Sequence, residues 1–296
     1  MASIQRVSFL GLGVMGFPMA GHLQQAGFEV CVYNRTASKA AKWVEAYGGS
    51  EADTPAGAAQ DVDAILVCVG NDDDVRSILL GEGGALAHAR PGTLIIDHTT
   101  TSADLARELD AACREKGLSF IDAPVSGGQA GAENAQLSIM CGGEPEAFES
   151  AQPLFDAIGK QSRLLGPAGS GQLCKMVNQV CIAGILQGLA EGISLAKAAG
   201  LNIEDVQQVL GGGAAQSWQL NNRALTMAED TFDFGFAIDW MRKDLNYALA
   251  EASRLGLELP VATEVNGYYR ELQDAGMNRC DTSVLIRRLA PEWPGK

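Results

Sequence analysis

The feature that most constrains the fold is a glycine-rich motif close to the N-terminus. It has the pattern G-x-G-x-x-G and reads Gly11, Leu12, Gly13, Val14, Met15 and Gly16. A short apolar run, Val7–Leu10, precedes the motif, and a helical pattern over Met15–Ala26 follows it. In this context the first glycine permits a tight turn, the second lets the backbone approach a pyrophosphate, and the third allows close helix–strand packing. The motif therefore predicts a dinucleotide-binding Rossmann unit.

The first half of the chain alternates predicted strands with predicted helices, which is typical of βαβ units around a parallel sheet. The strands are predicted at Val7–Leu10, Val30–Tyr33, Ala64–Val69, Leu94–Asp97, Ser119–Asp122 and Leu137–Cys141. The helices are predicted at Met15–Ala26, Ala37–Tyr47, Val75–Leu80, Ala103–Lys116 and Glu144–Ile158. We therefore expect an α/β fold with a doubly wound, mostly parallel sheet, and a ligand at the carboxyl ends of its strands.

The second half of the chain has no strand pattern after Gly166 and Pro167. A long helix is predicted over Gly171–Ala199, and its largely apolar circumference predicts burial between other elements. Further helices are predicted at Ile203–Leu210, Ser217–Met227, Ala237–Leu255 and Pro260–Ala275. The predicted organisation is a Rossmann domain over residues 1–166 and an all-helical domain over residues 167–296, joined by the long helix.

The composition limits the partners that such a chain can have. Lys and Arg total 22 against 36 Asp and Glu, a net charge of −14, which argues against nucleic acid because the chain repels phosphates. Seven cysteines without a C-x-x-C pattern predict reduced thiols in a cytoplasmic protein. The three histidines lack metal-ligand spacing, so no metal is expected. No signal-peptide pattern is visible, and the apolar stretch Met176–Ala190 is too short to cross a bilayer, so no membrane association is expected.

The residues after the second predicted strand bear on the choice of cofactor. They read Asn34, Arg35 and Thr36, with no carboxylate where NAD enzymes commonly use Asp or Glu to bind the ribose. The guanidinium of Arg35 can pair with a 2′-phosphate, because its planar fork suits bidentate phosphate binding. The alternative is a solvated arginine beside a helix N-cap. The pattern favours NADP and leaves NAD open.

Three further motifs follow in order along the chain. Residues 122–128 read Asp-Ala-Pro-Val-Ser-Gly-Gly after the last parallel strand, residues 169–178 open the long helix, and Lys243-Asp244-Leu245 lies on a later helix. Together with the N-terminal glycine motif they resemble the β-hydroxyacid dehydrogenase family. That family includes 3-hydroxyisobutyrate dehydrogenase, tartronate semialdehyde reductase and the glyoxylate/succinic semialdehyde reductases. The resemblance covers nearly the whole chain.

The resemblance implies roles for particular residues. Lys175 matches the catalytic lysine of the family, and its substrate-binding residues match Ser126, Gly127, Gly128 and Asn178. Its cofactor contacts, beyond the glycine motif, match Val69, Gly70, Asn71, Thr100 and Lys243. The family commonly has proline at the position of Gly70, so the resemblance does not imply the rigidity of a proline-containing loop there. Because the family forms dimers and tetramers, a homodimer or homotetramer is expected.

The chemistry of these residues fits the resemblance independently. Lys175 and Asn178 are spaced i, i+3 and so share one helix face. A lysine can move a proton to or from an alcohol oxygen, and as a cation it stabilises a developing alkoxide. A purely structural lysine is disfavoured near a helix N-terminus, where the dipole opposes a cation. Ser126 and the two glycines after it offer a hydroxyl and unshielded amides to a carboxylate. We therefore predict NADP-dependent hydride transfer on a small, carboxylate-bearing β-hydroxyacid or its semialdehyde.

Three other functions are weighed against this one. A decarboxylating 6-phosphogluconate-type dehydrogenase has a similar architecture, but its helix usually reads Lys-x-x-His-Asn, and no histidine lies between Lys175 and Asn178. Imine reductases replace the lysine by Asp or Tyr, so Lys175 argues against that class. A non-enzymatic cofactor-binding module is disfavoured because Lys175 and Asn178 are both intact.

Overall fold

The computed structural model of the chain describes residues 4–290 and 292–293. Contacts divide the chain into two compact units, residues 1–175 and 176–296, and the division falls within a long helix, Ser170–Ala198. The predicted architecture, a mostly parallel sheet followed by helices, is confirmed. The predicted domain boundary after residue 166 lies before the long helix and stays a prediction.

The sheet of the first unit contains nine strands among the described residues. In chain order they are β1 (Arg6–Leu10), β2 (Glu29–Tyr33), β3 (Ser50–Glu51), β4 (Ala64–Val67), β5 (Leu94–Asp97), β6 (Ser119–Asp122), β7 (Val125–Ser126), β8 (Leu137–Gly143) and β9 (Gly159–Leu164). Their spatial order is β3-β2-β1-β4-β5-β6-β8-β7, with β9 beside β8. The six strands from β3 to β6 in this order are parallel, whereas β8 runs antiparallel to β6 and β7. The order reverses between β1 and β4, the switch point at which doubly wound sheets bind ligands.

Helices cover both faces of this sheet, as the near-continuous apolar strands require. They are α1 (Gly16–Gln25), α2 (Ala37–Tyr47), α3 (Pro55–Ala58), α4 (Asp72–Leu80), α5 (Ala103–Glu115), α6 (Gly128–Glu133) and α7 (Pro145–Ile158). The next helix, α8 (Ser170–Ala198), contains the division between the two units. Successive strand residues point to opposite faces, so Phe9 packs in one apolar cluster with Leu23 of α1, and Leu10 packs in another with Leu109 of α5. Each such fully buried side chain contributes about 1.5–3 kcal/mol to folding.

Several elements of the first unit differ from the sequence prediction. The strands β3, β7 and β9 and the helices α3 and α6 were not predicted. β3 and β7 have two residues each, too few to show alternation, and β9 is mostly polar, so its pairing with β8 rests on backbone hydrogen bonds. The strand predicted over Ala64–Val69 ends at Val67, and α4 begins at Asp72 rather than Val75 because Asn71 caps it.

The second unit is helical, as predicted. After α8 it contains α9 (Ile203–Gly211), α10 (Trp218–Ala228), α11 (Ile238–Arg254), α12 (Pro260–Asp274) and a 3-10 helix over Thr282–Leu289 that was not predicted. Its core joins buried residues from all of these helices except α9, among them Leu245 and Tyr269. The Tyr269 hydroxyl donates to the carbonyl of Thr282 at 3.0 Å, which satisfies the buried phenol and fixes the last helix.

The helix α8 is less buried than its apolar sequence suggested. Val177 and Leu195 are 64% and 72% exposed, so only part of the circumference of α8 is buried. By length and composition alone this 29-residue helix could cross a membrane, although the core helices of soluble proteins pass the same test. The length argument from Met176–Ala190 was therefore wrong, and the absence of membrane association stays a prediction.

Candidate active site

The carboxyl ends of the parallel strands bring most of the predicted site residues of the first unit to one edge of the sheet. The loop after β1 carries the glycine motif, and the loop after β2 carries Asn34, Arg35 and Thr36. The loops after β4 and β5 carry Val69, Gly70, Asn71 and Thr100, and Ser126, Gly127 and Gly128 follow β6. This edge contains the switch point between β1 and β4, so the candidate site lies where the fold binds ligands.

The three glycines of the motif have different surroundings. Gly11 has a φ of +105°, and its amide donates to the carbonyl of Tyr33 at 2.9 Å. A Cβ at Gly16 would lie 2.0 Å from the carbonyl oxygen of Gly11, whereas a Cβ at Gly13 would meet no atom within 4 Å. Leu12 is buried, Met15 is half-buried, and Gly13 and Val14 are exposed. The motif thus closes tightly at both ends and is open in the middle, beside the N-terminus of α1, which fits a pyrophosphate.

Two of the residues after β2 have different roles: Asn34 supports the glycine motif through hydrogen bonds, and Arg35 is an exposed cation. The Asn34 side-chain oxygen accepts from the amide of Leu12 at 2.9 Å, and its nitrogen donates to the carbonyl of Thr36 at 3.1 Å. Asn34 therefore holds the glycine motif, while Thr36 is exposed at the N-cap position of α2. Arg35 is 87% exposed and lies 3.5 Å from a carboxylate oxygen of Asp74. Exposed ion pairs of this kind contribute little, so Arg35 can exchange Asp74 for another anion.

Side-chain hydrogen bonds fix the loop that has Gly70 where the family commonly has proline. The amide of Val69 donates to the hydroxyl of Thr99 at 3.1 Å. At the other end of the loop, Asn71 caps α4 by accepting from the amide of Asp74 at 2.9 Å. The loop is therefore held on both sides of Gly70, and Val69 is joined to the β5 loop that carries Thr100.

Lys175 is buried, with 8% of its surface exposed, in the second turn of α8. Its Nζ donates to the carbonyl of Val125 at 2.8 Å. The three residues that follow Val125 are the half-buried Ser126 and the exposed Gly127 and Gly128. The structure therefore brings the predicted lysine to the segment predicted to bind a carboxylate, and Lys175 is not a surface salt-bridge residue.

Two buried residues that sequence reasoning missed hold this arrangement together. The carboxylate of Asp122 accepts from the amides of Gly169 and Gln172 at 2.7 and 2.9 Å, which ties the start of α8 to the end of β6. The Gln172 side chain donates to the carbonyl of Thr99 at 2.7 Å and accepts from the amide of Thr101 at 3.0 Å. The spacing of Gln172 and Lys175 was the available signal, because two polar residues one turn apart in an apolar helix share a face.

Burial changes the protonation of the groups at the ends of β5 and β6. It raises the pKa of Asp97 to about 7 and the pKa of Asp122 to about 6, although amides donate to both carboxylates. Burial also lowers the pKa of His98 to about 4. His98 is therefore neutral near pH 7, and its Nδ1 lies 2.8 Å from the carbonyl of Ala123, so that nitrogen carries the proton. His98 links the two strand ends without supplying charge.

The second unit brings Asn178 and Lys243 into one polar network. Asn178 donates to the side-chain oxygen of Gln179 at 2.7 Å, and Gln179 donates to Asp244 at 2.8 Å. Lys243 lies 3.1 Å from the other carboxylate oxygen of Asp244 and over the ring of Tyr247. Gln179 and Asp244 are buried, and sequence reasoning did not single out either of them. Within residues 4–290 and 292–293, no group of three or more His, Cys, Asp or Glu could hold a metal ion.

Comparison with known proteins assigns the chain to a family. Residues 6–168 match the model of the NAD binding domain of 6-phosphogluconate dehydrogenase, and residues 169–289 match the NAD-binding region of NADP-dependent 3-hydroxyisobutyrate dehydrogenase. The chain therefore belongs to the 3-hydroxyisobutyrate dehydrogenase, or β-hydroxyacid dehydrogenase, family. It is an NAD(P)-binding oxidoreductase of the class that acts on CH–OH groups.

Three similar proteins illustrate the range of this family. The chain is 56% identical to an uncharacterized oxidoreductase of Shewanella frigidimarina, over 96% of this chain and 98% of that one. It is 34% identical to an NAD-dependent L-serine dehydrogenase of Pseudomonas aeruginosa, over 97% and 99% of the two chains. The solved structure of Mycobacterium tuberculosis 3-hydroxyisobutyrate dehydrogenase with L-serine superposes with a TM-score of 0.86 at 30% identity, covering 97% and 99%.

The contrast between Gly16 and Gly13 gives a first prediction. We expect Gly16→Ala to lower the free energy of unfolding by about 1–3 kcal/mol, because the new methyl group meets the Gly11 carbonyl. Gly13→Ala should change it by less than about 0.5 kcal/mol but weaken NADPH binding, because its methyl fills the open space of the motif. Urea unfolding and fluorescence titration with NADPH measure the two effects. An equal loss of stability in both variants would contradict the assignment of Gly16 to close packing and of Gly13 to the open space of the motif.

The buried carboxyl of Asp97 gives a second prediction. Its folded pKa of about 7 lies above the unfolded value of about 3.9, so the folded protein binds the extra proton and loses stability as pH rises between these values. Asp97→Asn removes this dependence and keeps an oxygen for the amide of Thr99. We expect the difference in unfolding free energy, variant minus wild type, to increase from pH 4 to pH 7 in the cofactor-free protein. A difference that does not change with pH would contradict the raised pKa of Asp97.

Proposed function

We propose that the chain is an NADP-preferring dehydrogenase or reductase that interconverts a small β-hydroxyacid and its semialdehyde or ketoacid, with Lys175 as the general acid and base. The observation that carries the proposal is the contact of the buried Lys175 Nζ with the carbonyl that directly precedes Ser126, Gly127 and Gly128. A substrate whose carboxylate is bound by these three residues has its neighbouring carbons near the lysine.

The proposed substrate site combines groups that bind the carboxylate, a residue that positions the substrate and a cation that attracts it. The Ser126 hydroxyl and the exposed backbone at Gly127 and Gly128 bind the carboxylate, and hydrogen bonds to a charged group are among the stronger ones. Asn178, which follows Lys175 by one turn of α8, positions the substrate. Because the whole chain carries a net charge of −14, the cationic Lys175 also supplies local attraction for an anionic substrate.

The residues proposed to hold NAD(P) are the glycine motif, the loops after β2, β4 and β5, and Lys243. The open space at Gly13 and the amides at the start of α1 fit the pyrophosphate, and the exposed Arg35 fits a 2′-phosphate. When bound, the nicotinamide supplies or accepts the hydride. Lys175 moves the accompanying proton: as the ammonium it donates to the carbonyl oxygen during reduction, and as the neutral amine it takes the proton from the alcohol during oxidation.

The nature of the substrate rests on the relatives. One relative is named an NAD-dependent L-serine dehydrogenase, and the solved 3-hydroxyisobutyrate dehydrogenase is described together with L-serine. Serine and 3-hydroxyisobutyrate share a carboxylate and a hydroxymethyl group, so both fit the proposed roles of Ser126 and Lys175. The intact Lys175 and the absence of histidine between it and Asn178 argue against the imine reductase and 6-phosphogluconate-type alternatives. Cytoplasmic localisation, a homodimer or homotetramer, and the absence of nucleic-acid partners stay predictions.

Removal of the lysine tests the proposal. We expect Lys175→Ala to lower kcat by about 10²–10⁴, the usual contribution of general acid–base catalysis, without changing NADPH affinity. Lys175→Arg should not restore activity, because arginine does not deprotonate near neutral pH. The measurement is NADPH-linked turnover with a panel that includes glyoxylate, succinic semialdehyde and tartronate semialdehyde, and NADP-linked oxidation of 3-hydroxyisobutyrate and L-serine.

Matched substrates complete this test. For each acid, the analogue with the same reacting carbon and no carboxylate should have a much lower kcat/KM, because it loses the contacts of Ser126 and the two glycines. A Lys175→Ala enzyme within tenfold of wild type would refute the catalytic assignment. Equal turnover of the uncharged analogues would refute the carboxylate site instead.

The exposed pair Arg35–Asp74 predicts how cofactor preference is set. Arg35→Ala should lower kcat/KM for NADPH by about tenfold, or 1.4 kcal/mol, and change that for NADH little. Asp74→Asn should act in the opposite direction, because it frees Arg35 and removes a carboxylate that repels the 2′-phosphate. The control for Arg35→Ala is Lys116→Ala, which also removes one positive charge but lies at the end of α5, away from the carboxyl edge of the sheet. If wild type used NADH and NADPH equally well, Arg35 would be only a solvated loop residue.

A further inference from the structure

We propose that Gln172 is a positioning residue that holds the loop Thr99–Thr101 in register with Lys175. The inference rests on the proposed function, because it assigns to Gln172 the alignment of the proposed proton donor with the β5 loop. Gln172 does not itself touch the reacting atoms in this assignment.

The contacts of Gln172 make it the junction of three segments. Its side chain is fully buried, and both ends of its amide are used by the β5 loop: the nitrogen donates to the carbonyl of Thr99, and the oxygen accepts from the amide of Thr101. Its own backbone amide donates to Asp122 at the end of β6. Thr100, the residue proposed to contact the cofactor, therefore lies between two residues that are both bonded to Gln172.

The position of Gln172 in α8 connects these contacts to Lys175. The two residues are spaced i, i+3, so they lie on one face of the helix, one turn apart. Lys175 is in turn bonded to the carbonyl of Val125 in the short strand β7. The Thr99–Thr101 loop and β7 are thus held at two successive levels of the same helix face. A small displacement at a reacting centre costs as much as about 10²-fold in rate, so a contact that fixes this spacing affects catalysis.

The purely structural alternative is that Gln172 only satisfies buried polar groups. Loss of two buried hydrogen bonds lowers stability in either case. The two explanations differ in catalysis: a structural residue changes the free energy of unfolding and leaves kcat unchanged well below the melting temperature, whereas a positioning residue changes kcat with little effect on substrate KM or cofactor affinity.

The main experiment uses Gln172→Met, which keeps the length of the side chain and removes both hydrogen bonds. We expect kcat to fall roughly 10- to 100-fold, with KM for the acid and Kd for NADPH within about threefold of wild type. In a crystal structure of the variant, the loop Thr99–Thr101 should be displaced relative to Lys175. The matched control is Gln207→Met in α9, which also loses two side-chain hydrogen bonds to backbone, in this case to the carbonyls of Leu220 and Asn221 at 2.9 Å, and should lose stability only.

A second variant keeps the proposal testable if Gln172→Met does not fold. Gln172→Glu retains the acceptor for Thr101, and when protonated it also donates to Thr99. The buried carboxylates Asp97 and Asp122 and the burial of the site raise the pKa of the new group, while Lys175 one turn on opposes this. We expect the ratio of variant to wild-type kcat to be higher at about pH 6 than at about pH 9, since only the protonated form restores both bonds.

The outcomes separate this inference from the proposed function. Wild-type kcat in Gln172→Met, or a pH-independent ratio in Gln172→Glu, overturns the role of Gln172. An active Lys175→Ala enzyme overturns the proposed function on which that role rests. An inactive Lys175→Ala enzyme together with a fully active Gln172→Met enzyme rejects the role of Gln172 and leaves the proposed function intact.

Discussion

The buried carboxylate of Asp122 is the contact on which the candidate site depends. A helix begins with amides that have no partner inside the helix, and it carries partial positive charge at that end. Asp122, at the end of β6, accepts from two amides at the start of α8 and thereby fixes that start to the sheet. A Cβ at Gly171 would lie 2.8 Å from an oxygen of this carboxylate, so a side chain there would force the helix away. Once the first turn is fixed, Lys175 follows one turn later.

The sequence predicted the parts of this arrangement that depend on local pattern. The glycine motif, the alternating strands and helices, and Lys175 near a helix start were all visible, because each is recorded in residue type and spacing. Asp122 had no such signal, since a carboxylate after a strand has no local pattern that distinguishes a buried partner from a solvated one. Gln172 had only its spacing from Lys175, which does not reveal the partners of its side chain. Their roles arise from contacts between segments about fifty and seventy residues apart.

The charge around the glycine motif shows why residue type alone does not decide cofactor preference. Arg35 was predicted to pair with a 2′-phosphate, and that stays a prediction, but the structure adds two facts that a sequence does not contain. Asn34 is already used to brace the motif, and Asp74 from α4 lies against Arg35. The energy gained when a phosphate binds at Arg35 is therefore the difference between two interaction energies, that of the phosphate and that of Asp74 with the same guanidinium. Solvent screens both interactions.

The polar residues of α8 connect stability with function. An apolar helix gains nothing from burying Gln172, Lys175 and Gln179, because each must find hydrogen bonds to offset its desolvation. All three do so, with the Thr99–Thr101 loop, the carbonyl of Val125 and the carboxylate of Asp244 respectively. Their spacing of three and four residues places them on one stripe of the helix. Buried polar residues that a largely apolar helix retains and pairs are candidates for function, so this stripe is the face of α8 on which we place the proposed chemistry.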